Sequence, residues 1–415
     1  MRKKSPQADY GLGRWTAILS ALRHRNYRHY WFGQLFSVLA QNMEIVAQSW
    51  LVLQLTNSPL FLGLTGLTHA IPMIALTLVG GAIADRADRR RIMILTQGAI
   101  AFFFFILATL VVTGEVRLWH VLAFAFISGS LRAFDRPSRM ALLPQMVPRE
   151  DMANAVALAG TIWQLNKLIG PAVAGMLIYL FDVGPTYFAC ASASLTAFVL
   201  WNFIEVDRHS FQGGPSGLIQ RMMEGLNFIR GNEIFSTFIA LIFFNGLFGM
   251  SYSILMPIFA RDILQVGSQG YGFLHSAAGA GALGGTLLVA ATHRSGRTGR
   301  RAILGAILFG AVIIGFAFSQ LYPLSLVLVF LIGLAGQFYM TVISTVLQLS
   351  LPEQFRGRVM GIYGLAWDVI PIGGTISGTM AEYIGAPLAV ALGGFLVMGT
   401  AVAVALFRPH VRELE

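Results

Sequence analysis

The stretch "GGAIADRADRRRIMI", residues 80–94, crowds six charged side chains into positions 85–91 between two long apolar runs. A break of this kind marks a turn at a membrane surface, because a run of about 18 or more apolar residues is long enough, as a helix, to cross roughly 30 Å of hydrocarbon. Runs of that length recur along all 415 residues, of which 56% are hydrophobic and 12% charged; a soluble domain carries about 25% charge. A membrane β-barrel would show strands of about ten residues with alternating polarity. Segments such as "AIAFFFFILATLVVT", residues 99–113, show none. The chain reads as an all-α polytopic membrane protein.

Twelve apolar runs lie near 30–53, 60–83, 92–113, 118–137, 153–181, 185–204, 235–260, 270–291, 302–320, 323–348, 358–384 and 387–407. Three of their connections, "TNSP", "LYP" and "GAP", are tiny and uncharged. Of the 29 Lys and Arg, 26 fall before the first run, in the alternate connections or in the tail. Arg117 and Arg261 fall on the other side, and Lys167 inside a run. Positive charge collects on the cytoplasmic side, so both termini are expected there and the number of spans is even. The net charge of +10 is thereby a topology signal and requires no nucleic-acid partner. The basic N-terminus lacks a short apolar region with a small-residue cleavage site, so no cleavable signal peptide is expected. Cys190 is the single cysteine, which rules out an intramolecular disulfide.

The sequence also repeats itself. A shift of 204 residues lays "PREDMANAVALAGTIWQLNKLIGPAVAGMLIYL" from Pro148 over "PEQFRGRVMGIYGLAWDVIPIGGTISGTMAEYI" from Pro352, matching Gly160 with Gly364, Trp163 with Trp367, Gly170 with Gly374 and Tyr179 with Tyr383. The same shift carries Gly80-Gly81 onto Gly284-Gly285. Two six-helix halves in parallel orientation follow, 1–204 and 235–415, joined by a linker at 205–234. Within the linker Leu218, Ile219, Met222, Met223, Leu226 and Ile229 recur at helical spacing, as expected of an amphipathic helix lying on the cytoplasmic leaflet.

These residues resemble the major facilitator superfamily over essentially the whole chain. Gly81, Asp85, Arg86, Arg89 and Arg90 match its loop signature of Gly, three residues, Asp-Arg, any residue, Gly and two basics, with Asp88 in place of the second glycine. The second-half copy, "GGTLLVAATHRSGRTGRR", has no acid matching Asp85. Gly170-Pro171-Ala-Val-Ala174-Gly175 resembles the antiporter motif of drug and siderophore exporters, with Ala174 for a glycine. "LRHRNYRHYWFGQ" at 22–34 and "RAFDRPSRMALLPQMV" at 132–147 look most like the branch of enterobactin, macrolide and tetracycline exporters. The resemblance implies a multi-pass protein of the bacterial cytoplasmic membrane, a transporter and not an enzyme, acting as a single chain without cofactor. Its partners would be a small-molecule substrate, protons and the lipid bilayer.

Alternating access needs mouths closed by contacts that break cheaply. Gly81, Asp85, Arg86, Arg89 and Arg90, with Arg132, Asp135 and Arg139 at the end of the fourth span, form the candidate cytoplasmic gate. The opposing reading is that they are solvated topology charges, since exposed pairs contribute about 0–1 kcal/mol. Gly170, Pro171 and Gly175 in the fifth span and Gly281 and Gly285 in the eighth are expected at close helix contacts, with these two spans sliding on each other across the halves.

An ionised group at a helix centre costs about 2.5–3.5 kcal/mol on insertion scales, so the few present point to function. Glu44 lies in the first span among Gln34, Gln41 and Gln48, which recur every seven residues and make one face polar. Lys167 has Gln164 three residues before it, and the repeat places Asp368 opposite Gln164. These define a candidate substrate cavity, with Glu44 or Asp368 as the proton carrier. The opposing reading is a fixed ion pair between Lys167 and a carboxylate. The glycine-rich "GAGALGG" lacks the Lys-Ser/Thr ending of a phosphate-binding loop, and no metal-spaced Cys/His set or serine nucleophile motif is present. The leading expectation is a proton-coupled exporter of lipophilic or amphipathic molecules. The competing ones are an exporter of a siderophore or modified lipid, and a membrane protein that does not pump, such as a scramblase or scaffold.

Overall fold

In a computed structural model, residues 20–206, 218–292 and 297–412 are described, without the side chains of Leu78, Ala82, Ala84, Asp85, Arg86 and 218–222; these residues are almost wholly helical and contain no strand. Twelve long helices run α1 Arg25–Thr56, α2 Pro59–Arg86, α3 Arg89–Val112, α4 Leu118–Leu142, α5 Met152–Phe181, α6 Val183–Asn202, α7 Glu233–Ile263, α8 Gly267–Ala291, α9 Thr298–Ala317, α10 Tyr322–Ser350, α11 Glu353–Ile384 and α12 Ala386–Phe407. A shorter linker helix, Leu218–Arg230, lies between α6 and α7. Ten of the twelve are long and apolar enough to cross a membrane by length and composition. The other two, α1 and α4, bear the charged side chains of the site below.

Local chemistry sets the helix ends. Asn57 takes the left-handed conformation (φ 51°) that closes α1, and Pro59 opens α2, where its missing N–H would have had no partner. Asp88 caps α3, its carboxylate accepting from the Arg91 N–H at 3.2 Å. The residue that departs from the glycine of the loop signature therefore has a defined duty there: its φ of −67° is ordinary, and its side chain satisfies an otherwise orphaned donor.

Within each half, helices approach through glycines pressed on carbonyl oxygens. A methyl on Gly129 of α4 would lie 2.0 Å from the His69 oxygen of α2, and one on Gly333 of α10 would lie 2.1 Å from the Ala278 oxygen of α8. These two glycines are 204 positions apart, so the sequence repeat is also a packing repeat. Of the neighbours Gly80 and Gly81, the first is pressed on α4, 2.3 Å from the Ala133 oxygen, while the second has nothing within 4 Å. Gly80→Ala is therefore expected to destabilise the protein by about 1–3 kcal/mol, as overpacking against an immovable backbone does. Gly81→Ala should stay within about 0.5 kcal/mol. Melting temperatures in detergent check the pair.

The halves meet through α2 with α11 and α5 with α8, mainly on the side of the short connections. There Gly63 abuts the Gly374 oxygen, Gly378 the Pro59 oxygen and Gly175 the Ser268 oxygen, with methyl-to-oxygen separations of 2.4–2.6 Å. Trp50 of α1 stacks on Tyr271 of α8 with ring centroids 6.0 Å apart. Ser58 donates to Glu382 at 2.7 Å, and Arg261 donates to the Leu53 carbonyl at 3.2 Å and to Asn57 at 2.7 Å. This mouth is shut.

The chain-end side differs. The first stretch of α11, up to Asp368, packs on the linker helix through Phe228, stacked 4.3 Å from Phe355, and through a Glu224–Arg358 ion pair at 2.8 Å. Gly160, Gly357, Gly361 and Gly364 on this side have nothing within 4 Å where a side chain would point. The glycines singled out from sequence divide accordingly. Gly175 faces α8, but Gly170 faces Asn42 of α1, and Gly281 and Gly285 face Phe330 and Leu334 of α10. The expectation that all of them line the α5–α8 seam is corrected: α8 has two glycine faces, and Gly272 and Gly279 lie on the one that meets α5. Cys190 is wholly buried in α6.

Candidate functional site

On α4, Arg132, Asp135 and Arg139 lie three, four and seven residues apart, which places them on one helix face; α1 presents Gln34, Gln41, Glu44 and Gln48 on another. The two faces look toward each other. Arg132 Nη2 lies 2.6 Å from Glu44 Oε2, and these side chains are 14% and 7% exposed. The sequence places Arg132 with the terminal gate charges. The structure places it deeper, because the face that carries Arg139 at the helix end carries Arg132 seven residues, two turns, earlier.

Arg139 builds the second polar knot. Its Nε is 2.6 Å from Asp135 Oδ2, in ionic contact without hydrogen-bond alignment. Its Nη atoms donate to Gln34 (3.3 Å), Ser37 (3.0 Å) and Gln97 (3.2 Å), and its guanidinium lies 4.4 Å over the Trp201 ring. Thr96 donates to Asp135 at 3.3 Å. Gln34 is thus taken up by this buried knot, whereas Gln41 and Gln48 line a cavity with Glu44.

Two cavities adjoin at Ile45, Ser253 and Ile254, each of ≈ 280 Å³. The polar one is lined by Gln41, Glu44, Gln48, Thr65, His69 and Arg132. The Gln48 Nε2 has no hydrogen-bond partner among the described residues. The other, more apolar cavity contains Lys167, and its walls come from both halves. Lys167 and Glu44 are therefore not paired: each faces its own cavity, and Glu44 already has a cation.

Asp368 ends the first stretch of α11, where a turn at Val369 and the missing N–H of Pro371 interrupt the helix. It is half-buried and lines neither cavity, and the charge of Arg136 on α4, in the other half, acts on it. Gln164 is half-buried with its Oε1 unpartnered. Arg89 donates to the Ala141 carbonyl (3.1 Å) and Arg90 to that of Asn202 (2.7 Å), so both sit at the C-terminal ends of helices in their own half, where a cation suits the helix dipole. The side chains of Asp85 and Arg86 lie outside the described residues. Sequence reasoning missed Ser37, Thr96 and Gln97, which complete the Arg139 knot. The signal available was a polar pair one turn apart on α1, Gln34 and Ser37, and an adjacent polar pair on α3, Thr96 and Gln97, beside the Asp135–Arg139 spacing of α4.

The chain matches, over residues 16–415, the model of the family described as transmembrane secretion effector. It is 27% identical to the multidrug efflux pump Tap of Mycolicibacterium fortuitum, over 92% of this chain and 96% of that protein. To the staphyloferrin A transporter of Staphylococcus aureus it is 23% identical, over 86% and 90%. To the enterobactin exporter EntS of Shigella boydii it is 25% identical, over 94% and 90%. Among solved structures, the fold superposes on the nucleoside transporter NupG with a TM-score of 0.75 at 11% identity, covering 92% of this chain and 99% of that one. A bacterial homolog of the human lysosomal transporter Spinster, in an inward-facing and unoccupied conformation, gives 0.68 at 15% identity, over 97% of each.

Proposed function

The chain belongs to the transmembrane secretion effector family of the major facilitator superfamily, and from this premise we propose that it is a secondary exporter of amphipathic small molecules that works by alternating access and exchanges substrate for protons. Both termini face the cytoplasm, as the distribution of Lys and Arg requires, and one chain is the working unit. On that orientation the closed mouth faces outward.

One observation carries the reading: a carboxylate inside the bundle, paired with a single guanidinium and lining a cavity. When Glu44 binds a proton, Arg132 loses its partner, and the interactions holding α1 to α4 change by the full strength of a charge-assisted bond. The pair is thus a two-state element that both a proton and a neighbouring substrate can bias. Asp368, at the interruption of α11, is the second proton acceptor; a helix broken beside a cavity is a recurrent device for ion and substrate sites. Relatives that transport staphyloferrin A and export enterobactin favour a second reading, siderophore export.

The test is a proteoliposome assay with an imposed pH gradient, offering cationic dyes, macrolides and catecholates. Glu44→Gln is expected to reduce gradient-driven movement at least tenfold. A Glu44→Gln, Asp368→Gln double variant that transports at the unaltered protein's rate, at equal protein level, overturns proton coupling.

A further inference from the structure

The apolar cavity contains one charge and no counter-charge. Lys167 lines it from α5, and among the described residues no carboxylate lines the cavity or forms an ion pair with it. Glu44 faces the other cavity, where Arg132 holds it. An ionisable group left unpaired within a span is expensive and is retained where something else supplies the partner.

The rest of the lining states what that partner looks like. Phe309 and Trp367 give aromatic walls, and Met340 an adaptable one. Polar side chains interrupt the apolar surface, Asn42, Tyr252, Ser253, His275 and Gln337, and the last two matter most. Gln337 spends its Nε2 on Thr341 at 3.0 Å, which leaves its carbonyl oxygen as an acceptor. His275, buried at its Nε2, has no hydrogen-bond partner there among the described residues. A volume of ≈ 280 Å³ sits at the small end of ligand sites, which run to roughly 1,000 Å³, and suits two or three fused rings.

We propose that this cavity is an organic-anion site in which Lys167 takes the acidic group of a flat, ring-bearing substrate. The proposal rests on the export reading and narrows its substrate class. The same lone cation that attracts an acid repels a cationic compound of equal shape, so selectivity comes from rejection as well as attraction. The two cavities then divide the work: the Glu44–Arg132 cavity handles the proton, and the Lys167 cavity the cargo. Their shared wall at Ile45 and Ile254 is the route by which occupancy of one is felt in the other.

The experiment compares two three-ring probes whose charges are fixed at all working pH values: anthracene-2-sulfonate, an anion, and N-methylacridinium, a cation. Binding to the full chain in nanodiscs is followed by probe fluorescence, and movement in proteoliposomes under an imposed pH gradient. The unaltered protein is expected to bind and move the sulfonate at least tenfold better than the acridinium. Lys167→Gln should abolish that preference, and Lys167→Arg, which keeps the charge, should preserve it. Melting temperatures establish that both variants are folded. A Lys167→Gln protein that handles the sulfonate as before overturns the proposal, as does a native preference for the acridinium; movement of either probe in those cases leaves export standing. Sulfonate bound through Lys167 but never moved supports the site and removes the export reading. Neither probe bound overturns the site.

Discussion

Arg132→Gln is expected to be the most damaging single substitution in the molecule, lowering stability by about 3–5 kcal/mol, the scale seen when one partner of a buried ion pair is removed. The reason is Glu44. With its cation gone, a carboxylate 7% exposed is left between α1 and α4. The loss should shrink as pH is lowered, because the stranded carboxylate can shed its charge by binding a proton, and grow again toward alkaline pH. Glu44→Gln leaves a guanidinium stranded instead and should also destabilise. The double variant removes both charges and is expected to recover most of the lost stability while remaining inactive in gradient-driven transport. Melting temperatures across pH 5–8 for the four proteins, with transport rates beside them, separate an ion pair that only supports the fold from one that also couples. A double variant as active as the native protein would show the pair to be structural.

The second large effect is expected at Gly279, on the seam between the halves. A side chain there would begin 2.5 Å from the Lys167 carbonyl oxygen and 2.8 Å from its carbon, both backbone atoms. That carbonyl is exposed to α8 because Pro171, four residues on, has no N–H to donate to it. Gly279→Val must therefore push α5 and α8 apart. At about 1–3 kcal/mol for overpacking, the arrangement with this mouth closed loses ground to its alternative by roughly 5- to 150-fold. Transport should fall by at least tenfold, and amide exchange at residues 267–272, the start of α8, should accelerate. Gly284→Ala, whose side chain would meet the Leu334 methyl at 3.7 Å and the Phe330 ring at 3.9 Å, both ordinary contacts, should change transport less than twofold. Unchanged exchange in Gly279→Val would mean that α5 and α8 do not separate in the cycle.

The helices were legible because membrane burial requires continuous apolar length. The runs near 30–53 and 358–384 become α1 Arg25–Thr56 and α11 Glu353–Ile384. The added turns, 25–29 and 353–357, are rich in polar and charged residues and so carry little apolar signal. The parallel halves were legible because repeated packing demands repeated small residues, as Gly129 and Gly333 show. The partner of each polar side chain was not. Spacing fixes which residues share a helix face, but the helix that a face meets depends on how the bundle is assembled. Lys167 and Glu44 were therefore open to pairing in sequence and are separate in space. Arg132 belongs with Glu44 for the same reason, and Gly281 and Gly285 face α10. Asp88 was decided locally, by a cap, and its role is the kind that sequence spacing alone can find.

The burial of Cys190 has a use. Because the chain's only sulfhydryl is sealed inside α6, a membrane-impermeant maleimide should find the native protein silent, with no need for a cysteine-free background. A reporter thiol placed at Gly160 or Gly364, where there is empty space, would then be the sole site of modification. The speed of its reaction from either side of the bilayer would record how often the vestibule near the chain ends stands open.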